Sequence, residues 1–261
     1  MDPVANAEQI RIWNEINAPR WIGFREPLTR ALQPFGRAAI DVLGPRRGEL
    51  ALDVGCGFGE TTVELASLCG EAVGVDVTEP VLAIARKEAP PGVRYLCADA
   101  QTHAFEERFD LVYSRFGIMF FDDFAAAFAN LRRAMKPGGR FAAVVWGPRG
   151  ENEWVVLPMR ILSRHLPLPA PTTGPGPFAL GDPAALSQLF SGAGFAQVSV
   201  SPLALPFEAD AALLLQTGPA AAVLREAGAE GERVRPILEA ELRAEAPPRL
   251  KARALLVSAR S

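Results

Sequence analysis

The segment Leu50-Ala-Leu-Asp-Val-Gly-Cys-Gly-Phe-Gly59 is a short apolar run that ends in an acid and then meets glycine at positions 55, 57 and 59. Such a run reads as a strand covered on both faces. Glycine at alternate positions lets the chain turn tightly out of that strand. Residues 60–69 then have helical spacing and stop at Gly70. The unit repeats: residues 72–76 form a second apolar run ending in Asp76, and residues 93–98 a third, followed by Asp99. Between them Thr78-Glu-Pro80 opens a helix with an N-cap candidate and a first-turn proline. That helix runs to about Glu88 and closes at Pro90-Pro91. Strands are predicted at 109–114 and 141–146, with a helix between them capped by Asp122 or Asp123. That helix carries Phe124, Ala127, Phe128, Leu131 and Met135 on one face, and Lys136-Pro-Gly-Gly139 is a predicted turn. Strands and helices in strict alternation predict an α/β fold with a doubly wound parallel sheet.

The flanks read differently. Residues 7–43 have helical spacing, and Pro19, Pro27 and Pro34 are expected to divide them into short pieces. After Trp146 a helix is predicted at 151–166, then a loop at 167–181 with five prolines and three glycines. Asp182-Pro183 starts a helix that ends near Gly192-Ala-Gly194. Residues 195–207 alternate like a strand, 210–245 read as two or three helices, and 250–259 as a last strand. This predicts a helical region at 1–45 and one larger domain at 46–261, with cover segments at about 150–181 and 207–248.

Net charge is −3 over 261 residues, with 49% apolar residues. That balance argues against nucleic acid or polyphosphate partners, which call for a basic patch. The basic pairs Arg46-Arg47 and Arg132-Arg133 are isolated and read as solvated faces. Cys56, Cys69 and Cys97 are odd in number and lack metal-ligand spacing, so no metal is expected, and Cys69 and Cys97 are expected to be buried thiols. Reduced cysteines, a start without a cationic and apolar leader, and no ~20-residue apolar stretch lead to the expectation of a cytoplasmic protein away from the membrane.

An acid at the end of each of three successive strands suits a nucleoside. A dinucleotide fingerprint has Gly-x-Gly-x-x-Gly with pyrophosphate at the helix N-terminus. Here the third glycine comes one residue early and Glu60 follows it, where a carboxylate would repel pyrophosphate. A nicotinamide oxidoreductase is thereby disfavoured. Asp53, two residues before the first glycine, suits a cationic ligand group such as an ammonium or sulfonium.

Over about residues 45–147 the chain resembles the class I S-adenosylmethionine-dependent methyltransferases. Asp53-Val-Gly55-Cys-Gly57-Phe-Gly59 matches the family's glycine-rich motif, and Phe109–Ser114 and Leu131–Arg140 match its fourth strand and the turn into the fifth. The resemblance implies that Asp76 holds the ribose hydroxyls while Val77 packs on adenine, and that Asp99 takes the adenine amino group. It implies a donor-binding set of Trp13, Trp21, Asp53, Gly55, Cys56, Gly57, Gly59, Asp76, Val77, Asp99, Ala100, Gln101 and Ser114. It further implies a Rossmann-like seven-stranded sheet whose last strand, 250–259, is antiparallel, with the N-terminal helices as a lid. S-adenosylhomocysteine would be the product.

Methyl transfer from a sulfonium is an in-line displacement, so alignment and desolvation do most of the work. The acceptor is expected at the strand ends, against Ser114-Arg-Phe-Gly-Ile-Met-Phe-Phe121 and the cover segments. Arg115, Phe116, Met119, Phe120 and Trp146 are the candidate acceptor contacts, and their apolar character suggests a small apolar acceptor. His165 is a candidate base and Arg115 a candidate for an acidic acceptor or an oxyanion; His103 falls on the adenine side. No Asn/Asp-Pro-Pro-Tyr/Phe signature follows the fourth strand, which argues against the DNA and protein-glutamine members. The reading is O-methylation of a metabolite or natural product. Carbon or nitrogen methylation of the quinone-biosynthesis type, and a non-catalytic donor-binding protein, stay open. So does the choice of monomer or homodimer.

Overall fold

Strand β1 (Leu50–Val54) lies inside the sheet, and its neighbours on both sides are parallel to it. The computed structural model describes residues 5–170, 174–247 and 249–261. Residues 1–4 of the helical region, 171–173 of the proline-rich loop and Pro248 lie outside the described residues. Seven strands run in the order β3 (Val93–Cys97), β2 (Glu71–Asp76), β1, β4 (Phe109–Arg115), β5 (Met135–Trp146), β7 (Leu250–Arg260), β6 (Ala196–Phe207). Strand β7 is antiparallel to both neighbours. The order turns back between β1 and β4, and this switch point opens a crevice at the carboxyl ends of the strands.

The central strands are buried on both faces because helices cover each side. Before the sheet come α1 (Ala7–Arg11), a π-helical turn at Ile12–Asn17, α2 (Ala18–Gly23) and α3 (Arg25–Leu43). Helix α3 runs unbroken through Pro27 and Pro34, against the expectation of short pieces. Pro27 sits in the first turn, where the missing N–H costs nothing. Pro34 is offset by a buried stripe at Leu28, Ala31, Leu32, Phe35, Ala39, Ile40 and Leu43. Helix α4 (Glu60–Cys69) joins β1 to β2, α5 (Glu79–Glu88) joins β2 to β3, and α6 (Phe124–Arg133) joins β4 to β5. The Asp123 carboxylate caps α6 by accepting from the Ala126 N–H at 2.9 Å.

Residues 136–139 are not a separate turn: β5 begins at Met135 and carries them as an irregular first section, with Gly138 at φ 75° and a register shift opposite β4. Past β5 come α7 (Glu153–Leu162), α8 (Pro183–Gly192), and then α9 (Ala211–Thr217), α10 (Pro219–Glu226) and α11 (Gly228–Glu245) between β6 and β7. Cys69 is buried, but Cys97, the final residue of edge strand β3, is exposed rather than buried. No helix of the described residues is long and apolar enough to cross a membrane.

Candidate active site

The carboxyl ends of β1, β2, β3 and β4 open into a cleft. Its floor is Val54, Gly55, Cys56, Gly57 and Phe58 from the glycine turn. One side carries Asp76, Val77, Thr78 and Val81 after β2, and Ala98, Asp99 and Ala100 after β3. The other side carries Arg115, Phe116, Gly117, Phe120 and Phe121 after β4. The roof comes from the N-terminal helices: Asn6, Gln9, Ile10, Trp13, Ala18, Trp21, Leu28, Thr29 and Leu32.

Glycine is required where the two central turns touch. A Cβ on Gly55, already at φ 71°, would lie 2.7 Å from the Gly117 Cα, and a Cβ on Gly117 would lie 2.5 Å from the Val54 carbonyl oxygen. The buried Ser114 hydroxyl fastens the same junction, donating to the Val54 carbonyl at 2.7 Å and accepting from the Gly117 N–H at 3.2 Å. Phe116 has φ 58°, a costly backbone for a bulky residue. Its ring is stacked on Trp146 at 4.0 Å between centroids, which holds it there.

Both oxygens of Asp76 accept backbone N–H groups, one from Gly57 and one from Thr78, each at 2.9 Å. Asp99 accepts from the Gln101 N–H and from the Asn6 side chain, each at 2.9 Å. Asn6 also donates its backbone N–H to Asp122 at 2.7 Å and accepts the Asp122 N–H at 2.6 Å. Asn14 bridges to the Val77 carbonyl and the Glu79 N–H at 2.9 and 3.1 Å. Trp13 packs edge-on against Trp21 at 5.2 Å and against Phe120 at 5.1 Å, so the roof meets the β4 wall through aromatic rings.

Residues 52–143 of the chain match the Methyltransferase domain family. The chain is 32% identical over 155 residues to demethylmenaquinone methyltransferase of Thermus thermophilus, covering 55% of this chain and 70% of that protein. It belongs to the class I S-adenosylmethionine-dependent methyltransferases. Nocamycin O-methyltransferase of Saccharothrix syringae is 30% identical over 186 residues, covering 64% of this chain and 66% of that one. The chain spans 53% and 66% of the length of the first two curated relatives it matches. Phosphoethanolamine N-methyltransferase 2 of Haemonchus contortus has the same fold at a TM-score of 0.56 and 22% identity, over 87% of this chain and 52% of that one.

Of the donor-binding candidates, Trp13, Trp21, Gly55, Cys56, Gly57, Asp76, Val77, Asp99 and Ala100 line the cleft. Four candidates do not line it. Asp53 is fully buried below the turn, where one oxygen accepts the Thr61 and Thr62 hydroxyls at 2.6 and 2.7 Å. Burial pushes its carboxyl up to about 6, against the two threonine hydrogen bonds. Gly59 faces the Tyr95 hydroxyl, Gln101 is taken up by Asn6 and the Asp123 N–H, and Ser114 by the β1–β4 junction.

Of the acceptor candidates, Arg115, Phe116 and Phe120 line the cleft, while Met119 and Trp146 lie behind it. The Met119 sulfur accepts the Trp146 N–H at 3.3 Å, and both residues are core. His165 is corrected most clearly: its ring pairs with Glu241 of α11 at 2.8 Å, and no described residue of 150–181 or 207–248 lines the cleft. The end of α7 leans on the α9–α11 layer rather than over the strand ends, so His165 cannot reach an acceptor there. Sequence reasoning passed over Asn6, Asn14 and Thr29, and used Glu60 only as an argument against pyrophosphate. Asn6 precedes a helix and so carries a capping signal, but its partners are more than ninety residues away.

Proposed function

We propose that this chain transfers a methyl group from S-adenosylmethionine to a small, largely apolar acceptor, with an acidic oxygen as the receiving atom. The donor supplies an electrophilic methyl on a sulfonium, already activated for displacement. The observation that carries the reading is one cleft holding the acids Asp76 and Asp99 at successive strand ends and, beside them, the rings of Trp13, Trp21, Phe116 and Phe120. The acids suit the ribose and adenine of the donor, and the rings suit an apolar acceptor and exclude water.

Oxygen is favoured by what the lining contains. Neither histidine is among its residues, and burial raises the Cys56 thiol, so it stays neutral. A base is needed only for an acceptor that arrives protonated. A carboxylic acid, or a phenol or enol acidified by a conjugated carbonyl, loses its proton to solvent near neutral pH and needs none. The N-terminal helices act as the lid in this reading, since they form the roof and must part for the ligands to enter.

The test is incubation of the pure protein with methyl-labelled donor and a panel of phenols, enols, carboxylic acids and amines, followed by mass spectrometry. S-adenosylhomocysteine and a labelled O-methyl product are expected. A labelled C-methyl or N-methyl product moves the acceptor atom. No donor binding at millimolar concentration defeats the reading outright.

A further inference from the structure

We infer that Glu60 and Arg115 together form the receptor for the amino-acid end of the methyl donor, the Arg115 guanidinium taking its carboxylate and the Glu60 carboxylate its ammonium. This rests on the reading above that the donor is S-adenosylmethionine. That molecule ends in an ammonium and a carboxylate on one carbon. Bringing both out of water requires two opposite charges close together, or several kcal/mol are lost per unpaired ion.

The charged side chains that line the cleft among the described residues are Asp76, Asp99, Glu60 and Arg115. The first two belong to the β2 and β3 ends, whereas Glu60 and Arg115 meet across the ends of β1 and β4. Arg115 is the lone cation of the set. Its side chain is 12% exposed, donates no hydrogen bond to any described residue, and comes only within 3.8 Å of a Glu60 oxygen. A guanidinium has five donors, and leaving them unused in so sheltered a place is costly unless a ligand takes them.

Glu60 is poised in a complementary way. One oxygen accepts the Arg25 Nε at 3.1 Å and the Thr29 hydroxyl at 3.2 Å. The other oxygen has only the distant Arg115 contact. Arg25 is in turn held by Glu88 at 2.6 Å. Two arginines thus face two glutamates, and the group is neutral before any ligand enters. A zwitterion enters without creating net charge, whereas an anionic acceptor on Arg115 would leave a surplus negative charge beside Glu60. Asp53, to which the glycine spacing pointed, is already engaged by Thr61 and Thr62 and lies outside the cleft.

The test is calorimetric titration, without acceptor, of S-adenosylhomocysteine, decarboxylated S-adenosylmethionine and 5′-methylthioadenosine, which lacks the amino-acid end. In Arg115→Met the dissociation constant for S-adenosylhomocysteine should rise tenfold or more, or about 1.4 kcal/mol. Binding of the other two should stay within twofold, and Arg115→Lys should recover part of the loss. Glu60→Gln should weaken S-adenosylhomocysteine and the decarboxylated donor but not methylthioadenosine. Loss of all three ligands together in Arg115→Met and in Arg115→Lys overturns the inference, because the damage is then not confined to the amino-acid end. Unchanged S-adenosylhomocysteine binding in Arg115→Met overturns it too. If the wild type binds none of the three, the functional reading itself has failed.

Discussion

Asp53 shows how far one residue's role depends on where its side chain ends up. Its carboxyl is pushed up from 3.8 to about 6 by burial, so the fold prefers the protonated acid. The stability from that preference is complete below about pH 4 and is lost as pH rises through 6. The loss amounts to about 3 kcal/mol. In Asp53→Asn the carbonyl can still accept from Thr61 and Thr62, and nothing titrates. Urea midpoints at pH 4.5, 5.5 and 7 should therefore show the variant gaining on the wild type as pH rises. A constant difference would place the carboxyl's value in the ordinary range. Gly117 gives a steric counterpart. Its added methyl in Gly117→Ala would press on the Val54 carbonyl and the Gly55 Cα, at 2.5 and 2.9 Å. The glycine turn must then shift, and donor affinity is expected to fall more than tenfold, read by calorimetry against a small change in melting temperature.

At the scale of elements, strands, helices and their order were legible, because hydrophobic period and glycine or proline punctuation act within a few residues. The misreadings are also local in origin. Pro34 looked like a break, yet the buried stripe of α3 outweighs one missing N–H. Lys136–Gly139 looked like a free turn, yet it forms an irregular stretch inside β5 between Met135 and Arg140, both of which pair with β4. The N-terminal helices hang on a few polar contacts, with Asn6 joined to Asp99, Gln101 and Asp122. Asn6→Ala keeps the backbone N–H bond to Asp122 but removes the side-chain bonds to Asp99, Gln101 and the Asp122 N–H, and should cost about 1–3 kcal/mol of helix docking. Hydrogen exchange over residues 7–23 should accelerate about tenfold or more, and the donor should leave faster in stopped-flow, while exchange in β1 and β4 stays unchanged.

Across the whole molecule one aromatic cluster joins the parts. Trp146 stacks on Phe116 and touches Phe35, Trp154 and Phe207, at centroid distances of 4.0, 5.3, 4.8 and 5.8 Å. It therefore links α3, the turn after β4, α7 and β6 at the end of β5. Trp146→Ala is expected to cost about 3–5 kcal/mol in urea unfolding. It should also loosen Phe116, whose left-handed backbone rests on that stack, so donor binding should weaken even in the folded fraction. An unchanged dissociation constant would show that Phe116 keeps its place without the tryptophan. The sequence alone determined the α/β class, the glycine turn and the acids at three strand ends, because each follows from backbone sterics and patterning over short stretches. Only the tertiary structure decided that Asp53 turns under its loop, that His165 pairs with Glu241, and that Glu60 meets Arg115 in the cleft. Those outcomes depend on which distant surfaces pack together, and short-range pattern carries no record of that choice.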